Sequence, residues 1–119
     1  MKPGKTGIAR IIDAAGYSMQ GLKAAYQHEA AFRQELLLLA ILMPCAIYLA
    51  QSTTDAAVLI GSLFMVLITE ILNSAIEAIV DLASPDQHEL AGRAKDMGSA
   101  AVFLAMLNVA ITWLFVLLF

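Results

Sequence analysis

Three long stretches of the chain carry almost no charge. The longest, Met97 to Phe119, is free of charged residues, and its 23 residues would form a helix of roughly 35 Å, enough to cross a bilayer. A second charge-free run, 36–54, contains Pro44, which membrane helices tolerate where neighbouring groups satisfy the freed carbonyl. The third stretch starts at Ala56 and keeps a helical pattern through a second half that carries acids. We therefore predict transmembrane helices at about 36–50, 56–83 and 97–119.

The connections between these stretches differ in character. Residues 51–55 are short and polar, so the first two spans should form a hairpin. The second connection, 84–93, contains Pro85 and Gly92, both of which interrupt helices.

The first 35 residues follow another pattern. Apolar side chains recur there at helical spacing, from Ile8 to Tyr26, and polar side chains occupy the other face. This pattern predicts an amphipathic helix lying on the membrane surface, with Gly16 and Gly21 as points where it could break in two. The segment has no apolar run long enough for a signal-peptide core, so we expect no cleaved leader.

Composition supports a membrane protein. Hydrophobic residues make up 61% of the 119 residues and charged residues only 14%. A soluble domain of this size could not bury so much apolar surface, which excludes an ordinary soluble globule and a disordered tail. The net charge of −3 argues against nucleic-acid binding, and the single cysteine excludes a disulfide framework. We expect one integral membrane domain over residues 1–119, with 1–35 as its surface region.

The basic residues indicate an orientation. They lie before the first span and just before the third, and the 51–55 connection has none. The positive-inside rule then places the N-terminus and the 84–96 segment in the cytoplasm and the C-terminus outside.

The second span carries the main chemical signal. Glu70, Asn73, Glu77 and Asp81 fall within roughly an 80° sector of one helix face. Carboxylates are costly inside a membrane and usually face a partner or a wet cavity, so they indicate function. The alternative is a polar stripe that binds helix to helix, with Glu77 and Asp81 marking the emergence of the helix into the headgroups.

Three further groups lie near the same cytoplasmic side. Glu29 either pairs with Arg33 one turn later or faces a shared site. Lys95 and Asp96 open the third span, as an interfacial anchor with a helix-start acid or as ligands. The small residues at 98–101 favour close helix contact. Carboxylates without His or Cys suit Mg²⁺, and a hard cation beside a lysine suits phosphate.

Four blocks of sequence carry a family resemblance. EILNSAIEAIVD at 70–81 resembles the signature of the small prokaryotic diacylglycerol kinases. RIIDAAGYS at 10–18, EAAFRQE at 29–35 and HELAGRAKDMGSAAV at 88–102 resemble further blocks of that family, in the same order. The likeness is to the Gram-negative branch rather than to the related undecaprenol kinases of Gram-positive bacteria.

The resemblance implies a fold and a reaction. The fold is an all-α membrane protein with an N-terminal amphipathic surface helix and three transmembrane helices, assembled as a homotrimer with shared active sites. The reaction transfers the γ-phosphate of MgATP to diacylglycerol in the inner membrane and gives phosphatidic acid.

The resemblance also implies roles for individual residues. Glu70 would be the general base, Glu29 and Glu77 would hold Mg²⁺, and Asn73 and Asp81 would support them. The remaining residues of the ATP site would be Arg10, Tyr17, Asp86, Gln87, His88, Lys95 and Asp96. Those bordering the lipid, beside Glu70, would be Arg10, Ala31, Phe32, Arg33, Gln34, Glu35, Ser99 and Trp113, with parts of 23–26 and Tyr48 nearby.

Other functions remain open from the residues alone. Undecaprenol kinase activity differs only in the lipid, which apolar residues do not specify. A small proton- or cation-coupled transporter would need Glu70 but would have little use for Glu29, Glu77 and Lys95 at one surface. The same cluster disfavours a purely structural subunit.

Overall fold

The chain forms four α-helices joined by short connections. The computed structural model describes residues 6–86 and 88–119. The helices are α1 (Gly7–His28), α2 (Ala30–Leu49), α3 (Thr53–Ala83) and α4 (Glu89–Leu118). Helices α2, α3 and α4 are each long and apolar enough to cross a membrane. The all-helical fold with three candidate spans is therefore confirmed.

A single extended residue, Glu29, separates α1 from α2. Its backbone has φ −118° and ψ 106°. Its N–H donates to the Ala25 carbonyl at 2.9 Å, and its own carbonyl accepts from Arg33 N–H at 3.3 Å. The expected break at Gly16 or Gly21 is wrong, because α1 runs through both glycines and ends only at His28. Helix α2 consequently begins six residues before position 36.

Helices α2 and α3 form the expected hairpin. Pro44 lies inside α2, which continues past it to Leu49. Ser52 caps the N-terminus of α3, and its Oγ accepts from Asp55 N–H at 3.0 Å. The carboxylate of Asp55 in the first turn further favours a helix start. Helix α3 therefore starts three residues earlier than the apolar stretch alone predicts.

The connection between α3 and α4 is shorter than predicted. His88 Nδ1 accepts from Leu90 N–H at 3.1 Å, and α4 begins at Glu89. The prediction that Gly92 interrupts helical structure is wrong, because Gly92 lies inside α4. The His88 N-cap stabilises the start of α4 enough to offset the helix-weakening effect of a single glycine. As a result, Lys95 and Asp96 lie on α4 itself and not in a loop.

Helix α3 is the centre of the packing. Leu59, Leu63, Val66 and Leu67 are buried along it, and it contacts both α2 and α4. Most other large apolar side chains are exposed, and Leu82 and Phe119 are 84% and 90% exposed. So much outward-facing apolar surface needs a bilayer or further subunits to cover it.

Candidate functional site

The polar residues of α3 run from a buried centre to an exposed end. Glu70 and Asn73 are 7% and 9% exposed. Glu77 and Asp81, one and two turns further along, are exposed. All four project from one face, as their spacing predicts.

Helix α4 supplies a basic side chain to the exposed end of this face. Lys95 Nζ lies 2.5 Å from Asp81 Oδ1. The negative charge of Glu77 also attracts the Lys95 ammonium group. The sequence suggested Lys95 and Asp96 as a pair. The structure instead pairs Lys95 across the helix contact, because consecutive residues on a helix project in different directions. Asp96 itself is exposed.

Asn73 connects the buried and exposed parts of the face. Its Nδ2 donates to Glu77 Oε1 at 2.8 Å, one helical turn away. Its Oδ1 is buried and has no hydrogen-bond partner among the described residues. An amide in this position orients the carboxylate of Glu77 and still presents an unused acceptor oxygen.

A second buried acid lies beside Glu70. Glu35 on α2 is 8% exposed, and its carboxyl group is within hydrogen-bonding reach of that of Glu70. No donor among the described residues reaches Oε1 of Glu35. Sequence reasoning placed Glu35 at the lipid border and did not connect it with Glu70. The available sequence signal was its spacing of three residues from the apolar Phe32, which puts both on one side of a helix.

The corner between α3 and α4 encloses a cavity of about 520 Å³. Its described lining includes four of the polar residues named above or predicted to bind nucleotide: Asp81, Asp86, His88 and Lys95. Ser84 Oγ donates to the Asp86 carbonyl at 3.0 Å and shapes the turn. Gln87, also predicted to bind ATP, lies outside the described residues. Arg10 and Tyr17 are exposed on α1 and do not line this cavity.

Glu29 faces a different side of α3 from Glu77. It lines a separate cavity of about 420 Å³ between α1 and α3, together with Ser74, Ala75 and Ala78. Within residues 6–86 and 88–119, no three Asp, Glu, His or Cys side chains converge on one point. One chain therefore does not bring Glu29 and Glu77 together in a closed cage.

The donor atoms themselves fit Mg²⁺. They are the carboxylates of Glu29, which is partly exposed, and of Glu77, which is exposed. Mg²⁺ prefers such hard oxygen ligands, and it usually takes one or two carboxylates together with waters and substrate phosphates. Separate acids are compatible with that mode of binding.

The structure divides the expected lipid-border residues between interior and surface. Phe32 is 3% exposed and packs with Ala25 and Leu67 in the core. Arg33 does not turn to Glu29, and its Nη1 donates to the carbonyls of Tyr26 at 2.7 Å and Gln27 at 3.3 Å. These bonds satisfy carbonyls at the end of α1. The exposed members are Arg10, Ala31, Arg33, Gln34 and Ser99.

Trp113 bonds to α3 far from Glu70. Its indole Nε1 donates to Ser62 Oγ at 3.1 Å, and Ser62 Oγ donates in turn to the Leu59 carbonyl at 2.7 Å. Ser62 precedes Glu70 by about two turns of α3, roughly 12 Å along the helix axis. Within one chain, Trp113 therefore links α3 and α4 through a hydrogen bond.

Comparison with known proteins identifies the family. The profile of the family described as prokaryotic diacylglycerol kinase matches residues 16–117. The chain is 54% identical over 110 residues to a diacylglycerol kinase of Escherichia coli strain K12, covering 91% of this chain and 88% of the relative. It is 49% identical over 115 residues to that of Pseudomonas aeruginosa, covering 97% and 94%. It is 44% identical over 108 residues to a diacylglycerol kinase of Haemophilus influenzae, covering 91% of this chain and 92% of the relative. The chain therefore belongs to the prokaryotic diacylglycerol kinase family.

Proposed function

We propose that this protein transfers the γ-phosphate of MgATP to the free hydroxyl of diacylglycerol and forms phosphatidic acid. The observation that carries the proposal is the polar face of α3, which runs from buried Glu70 to exposed Asp81 beside Lys95. A lipid hydroxyl arrives from the bilayer, whereas ATP arrives from water. A site for both substrates must span that boundary, and a face that runs from a buried acid to an exposed ion pair suits that task.

Glu70 acts as the general base. The hydroxyl oxygen of the lipid bonds to the γ-phosphorus, the bond from that phosphorus to the bridging oxygen of ADP breaks, and the hydroxyl proton passes to the Glu70 carboxylate. A positioned carboxylate is suited to accept a proton from a weak nucleophile during phosphoryl transfer. The burial of Glu70 keeps water away from that step.

The corner cavity between α3 and α4 holds the nucleotide. Lys95 supplies positive charge for the phosphates, and Asp81 keeps its ammonium group in place. Asp86 and His88 line the same cavity. Gln87, Asp96, Arg10 and Tyr17 remain predicted nucleotide contacts.

Glu29 and Glu77 hold Mg²⁺ on the nucleotide, with Asn73 orienting Glu77. When bound, Mg²⁺ neutralises charge that develops on the phosphates. The protein residues contribute the geometry by keeping the two carboxylates available for the phosphate-bound ion.

The active unit is a homotrimer with shared sites. Glu29 and Glu77 face different sides of α3, and Arg10 and Tyr17 lie away from the corner cavity of their own chain. A neighbouring subunit would supply the missing contacts.

We place the protein in the inner membrane as one domain over residues 1–119, with α1 as an amphipathic helix on the cytoplasmic surface and the C-terminus in the periplasm. The lipid border then comprises Arg10, Ala31, Arg33, Gln34, Glu35 and Ser99, whereas Phe32 and Trp113 pack between helices of their own chain.

The deciding experiment is a phosphorylation assay on purified protein in lipid bicelles. Labelled ATP is supplied with diacylglycerol or with undecaprenol, each with Mg²⁺ or with excess EDTA. We expect labelled phosphatidic acid only where Mg²⁺ is present. Faster labelling of undecaprenol would assign the other lipid, and undiminished turnover in EDTA would refute the metal requirement.

A further inference from the structure

Helices α3 and α4 approach each other closely at Gly98 and Asn73. Gly98 is buried on α4. A methyl group built on it would overlap Oδ1 of Asn73, and would lie 3.3 Å from its Cγ and 3.8 Å from its Cα. The absence of a side chain on Gly98 therefore creates the space that the Asn73 amide occupies.

The other helical glycines have no such role. A methyl group on Gly16, Gly21 or Gly61 would meet nothing within 4 Å. Glycine within a helix costs about 1 kcal/mol relative to alanine. At Gly98, unlike at those positions, a larger residue would overlap the Asn73 side chain, which explains why glycine stands there despite this cost.

The Asn73 amide that packs against Gly98 also contacts Glu77. Its Nδ2 donates to Glu77 Oε1 at 2.8 Å, and no described residue donates a hydrogen bond to its buried Oδ1. Asn73 is 9% exposed, so neighbouring residues surround most of its side chain. The position of the Glu77 carboxylate thus depends on the space above Gly98.

We propose that Gly98 is a positioning residue: it seats the Asn73 amide so that this amide holds the Glu77 carboxylate ready for the nucleotide-bound metal. The proposal rests on the proposed function, in which Glu77 binds Mg²⁺. It goes beyond close helix packing, because it assigns the need for glycine to one side-chain contact and to one step, the binding of MgATP.

Substitution by alanine should separate this role from packing. The overlapping atom is the end of a side chain, and the backbone of α3 stays at ordinary contact distance from the new methyl group. The fold can therefore survive if the amide swings aside. That movement breaks its hydrogen bond to Glu77, and a hydrogen bond to a charged group is worth more than an ordinary one.

The test compares Gly98→Ala with Gly61→Ala, a glycine-to-alanine change in open space on α3. Binding of Mg²⁺ with a non-hydrolysable ATP analogue is measured by isothermal titration, and the kinetics are measured for both substrates. We expect Gly98→Ala to bind the Mg²⁺–analogue complex about tenfold more weakly and to raise the KM for MgATP similarly. Its KM for diacylglycerol and its trimer content should stay within twofold of wild type, and Gly61→Ala should match wild type throughout.

A double-mutant cycle isolates the partner. If Gly98 acts through Asn73, adding Gly98→Ala to Asn73→Ala should weaken nucleotide binding by less than twofold, because no amide remains to be displaced. This arm also applies if Gly98→Ala alone fails to assemble, since the smaller residue at position 73 makes room for the methyl group. A further loss of tenfold in the double variant would overturn the proposal.

Other outcomes are equally distinct. Wild-type binding and kinetics in Gly98→Ala would overturn the positioning role while leaving the kinase assignment intact. Absence of lipid phosphorylation by the wild-type protein would instead refute the proposed function.

Discussion

The carboxyl groups of Glu35 on α2 and Glu70 on α3 meet in the interior, within hydrogen-bonding reach of each other. Two carboxyl groups can form a hydrogen bond only when one of them carries a proton. The proposed base therefore has an acidic partner on another helix. This arrangement makes Glu35 a candidate to influence proton transfer as well as to border the lipid.

Replacement of Glu70 by glutamine should abolish most activity. Gln keeps the shape but removes the proton acceptor, so we expect turnover to fall by two orders of magnitude or more, the usual scale for loss of a general base. MgATP binding and trimer assembly should survive. The control is Asp55→Asn at the other end of α3. Retention of more than about a tenth of wild-type turnover would reassign Glu70 to helix packing.

Glu35→Gln tests the buried pair. The amide can still donate to Glu70, but it cannot exchange a proton with it. We expect turnover to fall by about threefold to tenfold, with the KM for diacylglycerol nearly unchanged, since one hydrogen bond to the base is altered. Steady-state kinetics in bicelles measure both. A raised KM with unchanged turnover would show that Glu35 serves only lipid binding.

Subunit mixing tests whether sites are shared. Glu70→Gln and Glu29→Gln subunits should each form inactive homotrimers. If a site takes Glu29 from one subunit and Glu70 from another, mixed trimers contain some sites with both carboxylates intact. We therefore expect activity to reappear after the two variants are exchanged in detergent. Failure at every mixing ratio, with exchange verified by differently tagged subunits, would locate both residues in one chain's site.

The Lys95–Asp81 pair should matter for nucleotide binding rather than for stability. The two side chains are 42% and 65% exposed, and ion pairs so open to solvent contribute little to stability. We expect Lys95→Gln to raise the KM for MgATP by about tenfold or more, since a charge-assisted contact is lost, and Asp81→Asn by a smaller factor. Initial rates and thermal unfolding measure the two effects, with Arg93→Gln as an exposed-pair control. A larger kinetic effect from Asp81→Asn would mean that Asp81 itself contacts the nucleotide or metal.

The Trp113–Ser62 hydrogen bond should stabilise the outer half of the helix pair. Trp113→Phe removes the indole N–H, and we expect a loss of about 0.5–1.5 kcal/mol with turnover retained. Thermal unfolding of Trp113→Phe, Ser62→Ala and the double variant measures the coupling between them. An increased KM for diacylglycerol in Trp113→Phe, without the same increase in Ser62→Ala, would show that Trp113 contacts the lipid instead.

Sequence reasoning reached the helices and the polar face but missed their contacts. Apolar runs and 3.6-residue spacing predict three spans and the shared face of Glu70 and Asn73, because these follow from local geometry. Glu35 beside Glu70 depends on how α2 packs on α3, and that lies beyond any local pattern. Helices α3 and α4 start before the predicted spans for a related reason: the caps at Ser52 and His88 begin each helix before its apolar residues.

The junction at Glu29 has a consequence for the length of the chain. One extended residue joins α1 to α2, and Arg33 binds the last carbonyls of α1, so the connection has no slack. An inserted residue that extended either helix would rotate one helix by about 100° relative to the other. Ala25 would then leave the core that it shares with Phe32 and Leu67, and Glu29 would turn from its side of α3. The number of residues at this junction is therefore as important as their identity. Insertions should be less well tolerated here than at either end of the chain.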